Sequence, residues 1–125
     1  MATILIDTSV IIGLARKEPA ALDALTRLEG HEPVICDVVL AEVVSGARNR
    51  KEGDQWFAHL SSNYHVLPFT MEVSMHFREL TKGAWKHRGA HISDHLIAAT
   101  AMAHDCALLT LNRKDFEPIK GLKLA

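Results

Sequence analysis

Ile4-Leu5-Ile6-Asp7-Thr8-Ser9-Val10 joins a short apolar run to a carboxylate and then to two hydroxyls. A run apolar on both faces is the mark of a buried strand in a parallel sheet. Asp7 then stands at the carboxyl end of that strand, where a helix begins. In open α/β sheets this is the edge at which ligands bind. Glu42 and Asp94 occupy similar settings, as short polar interruptions of apolar, helix-like segments. Three acids placed this way suggest a shared cation site; the alternative is a set of separate helix caps and surface charges.

Outward from that stretch, strand and helix signals alternate. Ala2 to Ile6 is the first strand, and Asp7 or Thr8 can cap the helix that carries Val10, Ile11, Ile12 and Leu14. Pro19 suits the first turn of a second helix, Pro19 to Leu28, closed by Gly30. Val34-Ile35-Cys36 is a second strand, and Asp37 a candidate N-cap for a helix over 38–47. Residues 51–62 form another helix, with Trp56, Phe57 and Leu60 as its apolar face. Tyr64 to Pro68 is a third strand. Thr70 caps a long amphipathic helix that fades near Trp85, and Met71, Met75 and Trp85 on it are expected in the core or an interface. A very apolar helix opens at Ser93 or Asp94 and runs to Ala103. Ala107 to Thr110 is a fourth strand, and Gly121 to Leu124 a possible short fifth.

Strands that alternate with helices call for right-handed crossovers. The expected architecture is therefore α/β: one three-layer α/β/α domain over residues 1–125, with a central, mainly parallel sheet of four or five strands. At 125 residues such a chain buries roughly two-thirds of its unfolded surface. Hydrophobic residues make up 48% and charged residues 23%, as in a compact globular protein rather than a disordered one. The formal net charge of −1 gives no overall attraction to a polyanion. Any nucleic-acid contact must come from local basic residues or a bound cation. Cys36 and Cys106, the two cysteines, both lie in apolar stretches and read as buried thiols. With no leader-like start and no run near the roughly 20 apolar residues of a membrane helix, the chain is expected to be cytoplasmic.

Carboxylates drawn together raise one another's pKa unless a cation neutralises them. Oxygen-only ligands suit Mg²⁺ or Mn²⁺, which keep several waters and favour phosphate substrates. The chemistry that follows is activation of water for attack on a phosphodiester.

Four segments in order carry a resemblance: Ile4 to Val10; Leu40-Ala41-Glu42-Val43-Val44-Ser45-Gly46-Ala47; Ile92-Ser93-Asp94-His95-Leu96-Ile97-Ala98-Ala99-Thr100-Ala101; and Leu108-Leu109-Thr110-Leu111-Asn112-Arg113-Lys114-Asp115-Phe116. Together they span nearly the whole chain. It resembles the PIN-domain ribonucleases and, within them, the VapC toxins of toxin–antitoxin pairs. The resemblance implies a Mg²⁺- or Mn²⁺-dependent endoribonuclease with Asp7, Glu42 and Asp94 as metal ligands and Asp115 as a fourth acid. Asn112 stands where some relatives carry an acid. Thr8, Ser9 and Thr110 match hydroxyl positions that would orient the acids or hold a water. The resemblance also implies an RNA substrate, a homodimer and a small antitoxin whose C-terminal segment lies near the acidic groove.

Several residues invite other readings. Cations flank the acidic motifs, and Arg48, Arg113 and Lys114 are the candidates for contact with RNA phosphates. His87, His91 and His95 recur every four residues, as zinc ligands on one helix face would. Gly89 and the helix start near Ser93 break that geometry, so a solvated histidine-rich loop is expected. His95, directly after Asp94, could contact phosphate or the scissile base region, or point outward from the first helical turn; the outward orientation is expected. A phosphatase of the haloacid-dehalogenase type needs a second Asp two residues after the first, and Ser9 stands there instead. The reading from another class is a non-catalytic PIN-fold module that binds RNA or protein; it predicts loss of an acid, yet Asp7, Glu42 and Asp94 are all present.

Overall fold

Four short runs of β-branched and aliphatic residues pair into one parallel sheet. They are β1 (Thr3–Ile6), β2 (Glu32–Cys36), β3 (His65–Leu67) and β4 (Ala107–Leu109), ordered β3-β2-β1-β4. The structure, a computed structural model, describes residues 2–84 and 91–125. Leu5 is level with Val34 on one side and Leu108 on the other, so β1 is central and its end opens between two neighbours. Cys36 pairs with Leu67 at the outer strand. The expected fifth strand is reduced to a single bridge between Leu108 and Leu124.

The helices follow the alternation. After β1 come α1 (Thr8–Ala15) and α2 (Pro19–Ala24), which passes into a 3₁₀ turn over Leu25–Leu28. The sequence reads one helix to Leu28; its last turn tightens instead, and Gly30 at φ +79° reverses the chain into β2. After β2 come α3 (Asp37–Ser45) and α4 (Arg50–Asn63), and after β3 come α5 (Met71–Gly83) and α6 (Ile92–Ala103), with the short α7 (Arg113–Phe116) beyond β4. Right-handed crossovers place α1 to α4 on one face of the sheet and α5 and α6 on the other. Asp37 begins α3 rather than capping it, because β2 runs into the helix with Cys36 at the cap position. Thr70 caps α5 as expected, its hydroxyl accepting the Val73 N–H at 3.2 Å.

The core is continuous from sheet to helices. Leu5, Ile6, Val34, Ile35, Leu108 and Leu109 are buried in the sheet, and Val10, Val39, Val43, Leu60, Ile97 and Phe116 close over it. Met71 and Met75, expected in core or interface, are 74% and 58% exposed. They lie on the outer side of α5, so the core reading of them does not hold. Trp85 lies outside the described residues.

Gly13 fixes how α1 and α2 meet. A Cβ at this position would stand 2.8 Å from the Ala21 Cβ, with Leu111 and Glu18 at 3.2 and 3.3 Å. Alanine is ordinarily the better helix former by about 1 kcal/mol. At Gly13 the clash outweighs that gain: Gly13→Ala is expected to destabilise the protein by about 1–3 kcal/mol, read as a lower urea midpoint with an unchanged m-value.

Candidate active site at the carboxyl edge of the sheet

Asp7 is one residue past β1, its N–H tied to the Leu109 carbonyl at 2.9 Å. It sits at the N-cap position of α1 without capping it through its side chain. The carboxylate turns to hydroxyl donors instead. Ser9 Oγ donates to Asp7 Oδ2 at 2.8 Å and Thr110 Oγ1 donates to the same oxygen at 2.7 Å. Each hydroxyl accepts a backbone N–H in turn, Ser9 from Leu111 and Thr110 from Asn112, both at 3.0 Å. Asp7 is only 3% exposed. A carboxylate that deep is tolerable because it accepts well-formed hydrogen bonds.

Thr8, next along, reaches the other way. Its Oγ1 donates to Glu42 Oε1 at 2.8 Å, bridging the start of α1 to the middle of α3. Glu42 is half-buried. Asp94, in the first turn of α6, accepts the His91 N–H at 3.4 Å. Its carboxyl is pushed above the usual range, first by burial and further by the charges of Asp7 and Asp115; the His91 N–H and ring act against this. Asp7, Asp94 and Asp115 thus share one field, and Thr8 attaches Glu42 to the same edge. Among the described residues, no three carboxylate, imidazole or thiol side chains close around an ion by themselves.

The remaining candidates differ in exposure and in their partners. Asn112 is exposed and enters through its backbone N–H. Arg48 is exposed and pairs with Glu52 at 2.9 Å, Arg113 donates to the Ala125 carbonyl at 2.8 Å, and Lys114 is exposed on the first turn of α7. His95 does not point outward: it is 5% exposed and lines a cleft between α5 and α6. The solvated-loop reading therefore fails for it, because α6 begins at Ile92 and already turns residue 95 inward. His91 is exposed at the cap of α6, and His87 lies outside the described residues. Both cysteines are buried and unbridged. Burial raises the Cys36 thiol to about 11, with the Asp37 and Asp7 charges adding to the shift. Asp37 is a further acid at this edge, and Val34-Ile35-Cys36-Asp37 repeats the strand-then-acid pattern of Ile4-Leu5-Ile6-Asp7. That repetition was the available signal for it, hidden behind an ordinary capping role.

A parallel sheet with acids gathered where its central strand ends defines a class, and sequence comparison agrees with it. The PIN domain family model matches residues 4–122; the chain belongs to that family. Among its relatives, Ribonuclease VapC1 of Rickettsia felis is 34% identical over 132 residues, 97% of this chain and 93% of the relative. VapBC-1 from nontypeable Haemophilus influenzae has the same fold, with a TM-score of 0.82 at 21% identity over 98% of this chain and 96% of that one. A toxin–antitoxin complex from Klebsiella pneumoniae gives a TM-score of 0.75 at 25% identity, covering 95% and 94%.

The raised Asp94 carboxyl has a definite consequence for stability. With its folded pKa above the unfolded value of 3.8, the native state holds more protons between the two, so stability falls as pH rises through that window. Asp94→Asn removes the charge and is expected to raise Tm at pH 7 in chelator-containing buffer. That gain should vanish below about pH 4, as melting curves of both proteins across pH would show.

Proposed function

We infer that this protein is a divalent-metal-dependent endoribonuclease, the toxin of a toxin–antitoxin pair. The observation that carries the reading is the gathering of acids at the carboxyl edge of the central strand: Asp7 just past β1, Glu42 joined to the same turn by Thr8 at 2.8 Å, and Asp94 in the first turn of α6 within the field of Asp7 and Asp115. Like charges collected at the ligand-binding edge of a sheet are the condition that a cation relieves. The names of the relatives supply the substrate class, since VapC1 is a ribonuclease.

Asp7, Glu42 and Asp94 are the proposed holders of Mg²⁺ or Mn²⁺, with Asp115 beside them. All are hard oxygen donors, and because they do not enclose an ion by themselves, water completes its shell, as is usual for Mg²⁺. The ion supplies stabilisation of charge on the phosphoryl oxygens and makes water more acidic. Ser9 and Thr110 orient Asp7 through Oδ2 and leave its other oxygen for the ligand. Thr8 fixes one Glu42 oxygen in the same manner, and Asn112 steadies Thr110 through its backbone. Such outer partners keep ligands aimed without a further rearrangement on binding. Arg48, Arg113 and Lys114, all exposed, offer positive charge for RNA phosphates.

The partners proposed are a small antitoxin and a second copy of the chain, in the cytoplasm. Exposed apolar side chains support protein contact on two sides: Leu22, Leu25 and Phe57 from α2 to α4, and Phe69, Met71 and Met75 around the start of α5. A cationic antitoxin side chain at the carboxylates would be a simple inhibitory device. Among the described residues no helix is long and apolar enough to cross a membrane.

Purified protein incubated with total tRNA and structured RNAs, in Mg²⁺, Mn²⁺ or EDTA, tests this directly beside folded Asp94→Asn. Discrete cleavage that requires metal and falls by about 100-fold or more in the variant is the expected result. Equal cleavage by both proteins would remove Asp94 from the centre. Absence of both cleavage and metal binding would favour a non-catalytic binding module.

A further inference from the structure

A cleft of about 460 Å³ runs between α5, α6 and the segment after α7. One stripe of α5 faces it: His76, Glu79, Leu80 and Gly83, at the i, i+3, i+4, i+7 spacing of a single helical face. His95 and Met102 of α6 line it from another side, and Ile119 and Lys120 from the third. None of these residues is among the acids of the carboxyl edge, yet the two places are close along the chain. Asp94 and His95 are consecutive on α6, and Asp115 precedes the Ile119–Lys120 wall by a few residues.

The lining is two-sided in chemistry. Leu80, Met102 and Ile119 offer apolar contact, while His76 and Lys120 bring nitrogen donors. Glu79 adds an acceptor whose charge is offset by Lys82 at 2.9 Å. A nucleotide presents the matching set: an apolar ring face, an anionic phosphate, and amino or hydroxyl donors. The volume falls within the range of small-ligand sites, about 300–1,000 Å³. We propose that this cleft receives one nucleoside monophosphate unit; on the ribonuclease reading above, that unit is an RNA nucleotide flanking the scissile phosphate. The base lies against Leu80, Met102 and Ile119, the phosphate meets Lys120 and His76, and Glu79 accepts from the sugar or the base.

Gly83 provides the test, because a Cβ there meets nothing within 4 Å. Gly83→Leu therefore adds bulk to the cleft wall from a position where the first added carbon has room, and it alters none of the proposed metal ligands. Isotope-labelled protein in EDTA would be titrated with adenosine and cytidine 5′-monophosphates and followed by amide NMR. Shift changes should map to residues 80–83, 102 and 119–120, disappear in Gly83→Leu, weaken about tenfold in Lys120→Ala, and persist in Asp94→Asn. In RNA cleavage, Gly83→Leu should raise KM about tenfold with kcat within about twofold. Nucleotide binding with an unchanged RNA KM would support the cleft and assign it to free nucleotides instead of the RNA flank. Binding in a chain that cleaves no RNA would uphold the cleft while removing the ribonuclease reading. Shift changes confined to the acidic edge, or none at all, would overturn the proposal, as would unaltered binding by Gly83→Leu.

Discussion

The buried carboxyl group of Asp7 is the constraint around which the rest of this molecule is arranged. A carboxylate almost wholly removed from water is costly unless its oxygens are satisfied. Here two hydroxyls from opposite ends of the chain, Ser9 and Thr110, meet one oxygen. Thr110 can do so only because β4 pairs with β1 in the register that sets Ile6 beside Leu109. The last strand to be made in sequence order therefore completes the environment of the first acid. Each hydroxyl is oriented by a backbone N–H of residues 111–112, so the loop after β4 is fixed by the same bonds.

That arrangement treats two acids of one edge differently. Around Asp7, two hydroxyls serve one carboxylate oxygen. At Asp94, burial and the charges of Asp7 and Asp115 outweigh the His91 contacts, and the carboxyl is driven upward. The second situation is one in which a bound cation contributes most, because it removes repulsion already present in the fold. Strain of this kind commonly gathers where ligands bind.

Much of the architecture was legible in the residues. The all-apolar strands, the acid at the end of β1 and the Thr70 cap follow from local pattern, since burial on both faces and capping each leave a local mark. Asp7, Glu42, Asp94 and Asp115 could be named, but not how they relate. The Thr8–Glu42 bond spans 34 positions and the Thr110–Asp7 bond 103, and no local signal encodes a pairing that depends on strand order. The burial of His95 escapes local pattern for a related reason. A polar residue in a first helical turn is usually solvated, and only the packing of α5 beside α6 turns that face inward. Met71 and Met75 show the reverse: apolar spacing marks a helix stripe without saying whether anything in the same chain covers it.

The Leu108–Leu124 bridge has a consequence of its own. An outer strand of a parallel sheet presents unpaired N–H and C=O groups, a template for another chain to add to. The β4 edge is closed by residues 122–125: the Leu108 N–H donates to the Lys123 carbonyl and the Ala125 N–H to the Leu108 carbonyl, each at 2.8 Å. Arg113 clamps the same segment through the Ala125 carbonyl. The opposite edge, β3, is only three residues long, too short to recruit a neighbour. A sheet with one edge latched and the other trimmed resists strand-by-strand growth into aggregates, leaving association to side-chain surfaces rather than backbone.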